Sequence, residues 1–413
     1  MGRLWRGIAI LVLALLTLGC PASTPKEHLV LWTAFEGSEL ETLKSLVSEF
    51  ETSSGRTVVM LKVPFASLRQ KVLVAGPALQ GPDVLIGPHD WVGMLQTADL
   101  IAPVPEGVMN GDNDDFYPIC HKAVNFAGQE YLAPMMMECV VLARNTDLCP
   151  EAPESLDQLV DFALQCQSSN PGTTGFSYEL KNFYFSWAFL AGFGTDFLEP
   201  FSKKNLDIDK LNFATPEAAA GLEWIASLEQ KHKLVKPGVK NDITVDMFLN
   251  KKLGMMLCGP WNLGDIRKAG VNYALEPIPA GPKAASSPFV GITGAMLSRY
   301  SADKPGVKEL MLFLSSPSTS ARLCEASGRP PTRKKTAEVL AERLTDQAVI
   351  RDMSLFADAA EAGTPLPNHP AMQPVWDMME QTLELVTTGQ VQPLDELKRT
   401  TERVRSKIRF MLE

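Results

Sequence analysis

From Leu29 onward, short apolar runs alternate with stretches in which apolar residues recur every three or four positions. Residues 29–32 form one such run and read as a strand. After them Leu40, Leu43, Val47 and Phe50 share one helical face, so the spacing predicts a helix ending near residue 50. Ser38 with Glu41 fits a capping box at its start. The unit repeats as a strand over 57–63, a helix over 68–75, a buried strand over 83–86 announced by Gly81-Pro82, and a helix over 91–98. Three consecutive strand–helix units predict an α/β chain built on parallel sheet.

The same grammar restarts in the middle. Residues 132–133 and 140–143 read as strands flanking Pro134, and Ser155 with Gln158 opens a helix carrying Leu156, Leu159, Val160, Ala163 and Leu164. Residues 182–190 form an aromatic-rich helix, Thr215-Pro216-Glu217 starts another, and 253–257 reads as a strand ending at Gly259-Pro260. The last third is mainly helical, with helices predicted over 305–314, 318–326, 372–386 and 394–408. No fixed-period repeat is present, which disfavours solenoids and propellers.

The first residues are of another kind. Arg3 and Arg6 precede an unbroken apolar run over 8–18 that meets Gly19-Cys20. That run is too short for a membrane-spanning helix and fits a secretory signal. Leu16, Thr17, Leu18, Gly19 and Cys20 resemble the lipobox of bacterial lipoproteins. The resemblance implies a signal peptide over 1–19, acylation of Cys20 and a lipidated tether over 20–27. Simple cleavage nearby, with Cys20 an incidental thiol, stays open.

Over 413 residues, 45% hydrophobic and 21% charged composition is that of a folded chain rather than a disordered one. Loss of Arg3 and Arg6 with the signal would move the formal charge from −9 to −11, and an acidic chain argues against a nucleic-acid partner. Six cysteines follow Cys20, widely spaced and without a Cys-x-x-Cys pair, so neither a metal site nor a cofactor is expected. If any pair bonds, Cys149 and Cys166 come first, because they bracket one loop–helix unit; buried free thiols are the alternative.

Several segments, taken in order, carry a family likeness: Gly81-Pro82-Asp83-Val84-Leu85-Ile86 with His89-Asp90, Tyr184-Phe185-Ser186-Trp187, Gly259-Pro260-Trp261, Val271-Asn272-Tyr273, Pro288-Phe289-Val290-Gly291, and Pro367-Asn368 with Trp376. Together they resemble the maltose/maltodextrin-binding family among the extracytoplasmic solute-binding proteins of ABC importers. The resemblance implies an α/β fold of two lobes, each a mostly parallel sheet flanked by helices, with the ligand cleft between them. Three crossings, near Met137, 290–293 and 346–352, would form the hinge. The lobes would comprise 28–137 plus 291–348 and 138–290 plus 349–413.

A sugar offers a C–H face and an equator of hydroxyls, which suit flat aromatic rings and carboxylate acceptors respectively. By resemblance, Tyr184, Trp261 and Trp376 stack on sugar, Asp90 and Glu138 bind hydroxyls, and Glu36 lies near another such acid. On residue pattern alone Trp376 is equally a core residue, Asp90 could cap a helix, and Trp32 and Trp187 read as core. This chain departs from the family at Gly87, Trp91, Gly37, Asn182 and Arg69. Trp91 is expected to replace aromatic surface absent at Gly87. These changes put maltose itself in doubt. The expected function is capture, without catalysis, of a maltodextrin-like oligosaccharide or disaccharide for delivery to ABC permease subunits, by a monomer anchored through Cys20. Trehalose, sucrose or glucosylglycerol binding is the alternative, and a secreted carbohydrate-active enzyme the rival class.

Overall fold

A computed structural model of the chain describes residues 28–109, 115–202 and 205–412. The expected signal peptide and tether, Cys20 included, lie outside the described residues. The strands are β1 (His28–Thr33), β2 (Thr57–Lys62), β3 (Val84–Pro88), β4 (Ile101–Ala102), β5 (Asn125–Phe126), β6 (Gln129–Glu130), β7 (Ala133–Glu138), β8 (Val141–Asn145), β9 (Thr174–Ser177), β10 (Leu253–Cys258), β11 (Tyr273–Glu276), β12 (Phe289–Ser298) and β13 (Thr364–Pro365). They build two principal sheets. The first has the order β13-β12-β3-β1-β2, with β4 and β7 also paired to β12, and the second has the order β11-β8-β10-β9.

Parallel pairing of β1 with β2 and β3 requires crossovers, and the helices Gly37–Ser54 and Phe65–Ala75 supply them. Leu43, Val47 and Phe50 of the first helix are buried on the face their spacing predicted, joined by Leu46, while Leu40 is only partly buried. Both sheets are more mixed than the strand–helix alternation implies. β8 runs antiparallel to β10 and β11, and β12 runs antiparallel to β3, β4 and β7. These strands begin where the chain passes from one sheet to the other, so they enter their sheet from the side opposite to its parallel strands.

Two local expectations are corrected. Ser38 forms no capping box: the helix begins at Gly37, and the Ser38 hydroxyl instead donates to the Ala326 carbonyl at 2.8 Å. That long-range bond ties the helix to the segment Pro317–Ser327 and outcompetes the local cap. Pro134 does not separate two strands but lies inside β7, opposite Gly294, where the β7–β12 register shifts. A residue without an N–H is tolerated there because the ladder is already broken. The expected caps at Ser155 and Thr215 form, each accepting the backbone N–H three residues on.

β12 is the central crossing. Phe289 at its start packs among Phe183, Tyr184, Trp187 and Trp376, whereas Thr293–Leu297 pair with β3 inside the first sheet. Beside it, Phe289 and Val290 pair with Thr364 and Pro365 of β13. One buried side chain holds these strands in place. His89 Nδ1 accepts the Ile292 N–H at 2.9 Å, and Nε2–H donates to the Leu366 carbonyl at 2.9 Å, which assigns the neutral ring's tautomer. No helix among the described residues is long and apolar enough to cross a membrane.

Candidate functional site

β3 ends at Pro88 and the chain turns through the short 3₁₀ segment His89–Trp91, which presents Asp90 beside the crossings. Burial pushes the Asp90 carboxyl up to about 6; the Arg69 guanidinium pulls it back and the Glu138 carboxylate adds to the rise. Asp90 therefore lies within electrostatic reach of both. Glu138, the last residue of β7, accepts Arg329 Nε–H at 2.9 Å, and the same guanidinium also pairs with Glu39. Burial raises the Glu39 pKa against the pull of Arg329. The result is a half-buried pair of acids, Glu138 and Glu39, around Arg329, with Asp90 and a second arginine, Arg69, within electrostatic reach.

Tyr184 lies within electrostatic reach of Glu138 from a helix distant in the chain. It opens the helix Phe183–Gly192, where the Asn182 side chain caps the Tyr184 N–H at 3.0 Å. Its hydroxyl is buried with no hydrogen-bond partner among the described residues. Burial first, and then the Glu138 carboxylate, hold the phenol pKa well above its usual value, so the ring lies within electrostatic reach of that acid. The ring itself stacks on Phe289 at 6.2 Å. Trp376 is half-buried against Phe183 and Phe289, with centroids 5.3 and 5.4 Å away.

Trp261 is 38% exposed in the turn after β10. Its indole folds back over Gly259, where an added Cβ would come within 2.2 Å of the ring and would have to displace it. The neighbouring Pro260 carbonyl lies against Gly328, one residue from Arg329. Arg69 likewise donates to Gln373 at 3.1 Å, three residues before Trp376. Segments far apart in the chain thus meet at both places.

Two expected residues are placed differently. Trp91 is 4% exposed, packed between Gly87 and Phe65, and presents almost no surface. The ring that faces outward there is Phe65, 60% exposed. Glu36 is exposed and ion-paired with Lys62 at 2.5 Å, while Glu39, one helical turn on, is the carboxylate that reaches Arg329. Glu39, Phe65, Arg69, Arg329 and Gln373 were not singled out as ligand residues from sequence. None sits in a motif, and only Phe65, an aromatic directly after Pro64 at a helix start, offered a local signal. A cavity of about 680 Å³ beside the crossings, lined by Trp187, Thr195, Leu366 and Asn368, contains none of the expected ligand residues.

The model of the family described as bacterial extracellular solute-binding protein matches residues 45–353. A maltodextrin-binding protein of Bacillus subtilis is 26% identical, covering 94% of each chain. A galactooligosaccharide-binding protein of the same organism is 24% identical and covers 96% of each. The crystal structure of a cyclo/maltodextrin-binding protein complexed with maltotetraose superposes with a TM-score of 0.80 at 26% identity, over 94% of this chain and 98% of that one. The agreement spans both lobes, and the family match covers most of the described residues: the chain belongs to the family of bacterial extracellular solute-binding proteins, which places it outside the cytoplasm.

Proposed function

We propose that this protein is the carbohydrate-binding subunit of an ABC importer, trapping a maltodextrin-like oligosaccharide or disaccharide between its lobes and presenting it to membrane permeases. The observation that carries the reading is the buried Tyr184 hydroxyl, without a hydrogen-bond partner among the described residues and within electrostatic reach of Glu138, together with the partly exposed rings of Trp376 and Trp261. Such a hydroxyl needs a partner, and a sugar hydroxyl is one that can both donate and accept. The acids are suited to hydroxyl donors: Arg329 offsets part of the charge on Glu138 and Glu39, and each carboxylate keeps lone pairs free. The names of the relatives agree with a sugar and leave open which one, since one is named for maltodextrin and another for galactooligosaccharide.

In this reading the ligand closes the hinge by touching both lobes, Asp90 and Phe65 from one, Tyr184, Trp261 and Trp376 from the other. A ligand shifts that equilibrium only by its difference in affinity for the two forms. The lobes comprise 28–137 plus 291–348 and 138–290 plus 349–413, and acylated Cys20 tethers a monomer to the membrane. Asp90, held near pH 6 beside Glu138, is also what a glycosidase acid would require. Calorimetric titration of the mature protein with maltose, maltotriose, trehalose, sucrose and galactooligosaccharides separates these readings. Stoichiometric binding without turnover supports capture, and released sugar would overturn it. Trp261→Ala should weaken the bound sugar by about 2 kcal/mol, roughly thirtyfold. An unchanged affinity would show that the site is elsewhere.

A further inference from the structure

The ligand reading uses none of the six described cysteines, all of them buried. Four stand apart from one another: Cys120 lies against Met137 and the Thr332 carbonyl, and Cys139, Cys258 and Cys324 each face a backbone carbonyl. Burial pushes all four of these thiols up.

Cys149 and Cys166 are different because they face each other. Interaction with Cys166 raises the Cys149 pKa, and interaction with Cys149 lowers that of Cys166, the pattern of a Cys149 S–H donating to the Cys166 sulfur. Both sulfurs rest on one spot of β10. A Cβ at Gly254 would lie 2.5 Å from one and 2.6 Å from the other, so the strand leaves out a side chain where the pair sits.

The backbones around the pair are aligned by bonds that do not involve sulfur. Asn170 Nδ2 donates to the Cys166 carbonyl at 2.9 Å and to the Leu148 carbonyl at 3.4 Å, bridging the two segments. The Cys149 N–H donates to the Asn145 carbonyl at 2.9 Å, and Arg144 Nη1 donates to the Cys149 and Pro150 carbonyls at 2.8 and 2.9 Å. A pocket of about 280 Å³, lined by both cysteines with Leu148, Phe162, Gln165 and Asn170, leads to them.

We propose that Cys149 and Cys166 are joined by a disulfide in the exported protein, formed by exchange with a disulfide-bearing oxidant of the extracytoplasmic space. The Cys166 thiolate attacks one sulfur of the oxidant, forming a mixed disulfide and expelling the oxidant's first thiolate. Cys149 then loses its proton and attacks the Cys166 sulfur, expelling the second thiolate. Two S–H bonds are replaced by one S–S bond, and the oxidant leaves with two electrons and two protons as thiols. The bond clamps the helix Leu156–Ser169 to the end of β8, away from the acid network, and the proposal is independent of the ligand reading.

The test uses the mature protein equilibrated with oxidised glutathione, then unfolded, alkylated and mapped by mass spectrometry without reduction. The expected result is alkylation of Cys120, Cys139, Cys258 and Cys324, with the peptides of Cys149 and Cys166 linked and lighter by two hydrogens. Reduction should lower Tm by about 5 °C, and the double variant C149S/C166S should show no such response. Alkylation of Cys149 and Cys166 after oxidation, or linkage of either to another cysteine, overturns the proposal. If the double variant fails to accumulate, the alkylation pattern of the unmodified sequence decides alone.

Discussion

Replacing Arg329 by Met removes the guanidinium that pairs with both Glu39 and Glu138. Their side chains are only 18% and 24% exposed, so neither carboxylate can recover full hydration when the guanidinium is lost. Breaking a fully buried pair by removing one partner costs about 3–5 kcal/mol; the partial exposure reduces this to about 2–3 kcal/mol at neutral pH. The loss carries a pH signature. Burial already raises the Glu39 pKa, and Arg329 is the first influence opposing that rise, so Glu39 moves further up in the variant. An acid with a raised folded pKa favours the fold fully below its unfolded value, and that contribution disappears as pH rises through the folded value. The deficit of Arg329→Met should therefore be largest at about pH 7.5 and shrink at about pH 5. Urea denaturation at both pH values measures it, and adding Glu138→Gln should recover part of the loss at the higher pH. A deficit below about 0.5 kcal/mol, or one that grows on acidification, would refute the reasoning.

Three further outcomes follow from the same site. His89→Leu leaves the Ile292 N–H and Leu366 carbonyl without a partner and should cost about 2–4 kcal/mol in denaturant unfolding. Burial lowers the His89 pKa from 6.5 to about 4, so its contribution is present above pH 6.5 and lost as pH falls towards 4; the variant should lack that acid-sensitive component. Asp90 acts in the opposite sense, its raised pKa favouring the fold at low pH, but for binding its ionised form is the acceptor. Sugar affinity should rise about tenfold between pH 5 and 7 and level off above, and Asp90→Asn should flatten the profile in calorimetric titrations. Phe65→Ser, which removes an exposed ring, should leave Tm within about 1 °C while weakening sugar binding several-fold; a large Tm loss would show the ring to be structural.

The α/β architecture was legible in the sequence because it rests on local periodicity. The helix Gly37–Ser54 buries the face marked by Leu43, Val47 and Phe50, and the caps at Ser155 and Thr215 depend on neighbours three residues away. The helix Lys334–Arg343 was not read, since its charged composition carries only two buried residues, Thr336 and Leu340. Ser38 was misread for the converse reason: its partner, Ala326, is distant in the chain. Tyr184, Trp261 and Trp376 were singled out because they sit in motifs, and the structure keeps each at least partly exposed.

What the sequence determined by itself is therefore the order of strands and helices and the supply of rings and acids, properties that short windows encode. Tertiary structure alone decided that Arg329 stands between Glu39 and Glu138, that Phe65 rather than Trp91 faces outward, and that His89 bonds to the backbone at Ile292 and Leu366. The physical reason is one of range. A hydrogen bond or ion pair joins atoms a few ångströms apart, whereas these partners lie up to 290 residues apart along the chain and come together only when both lobes have folded.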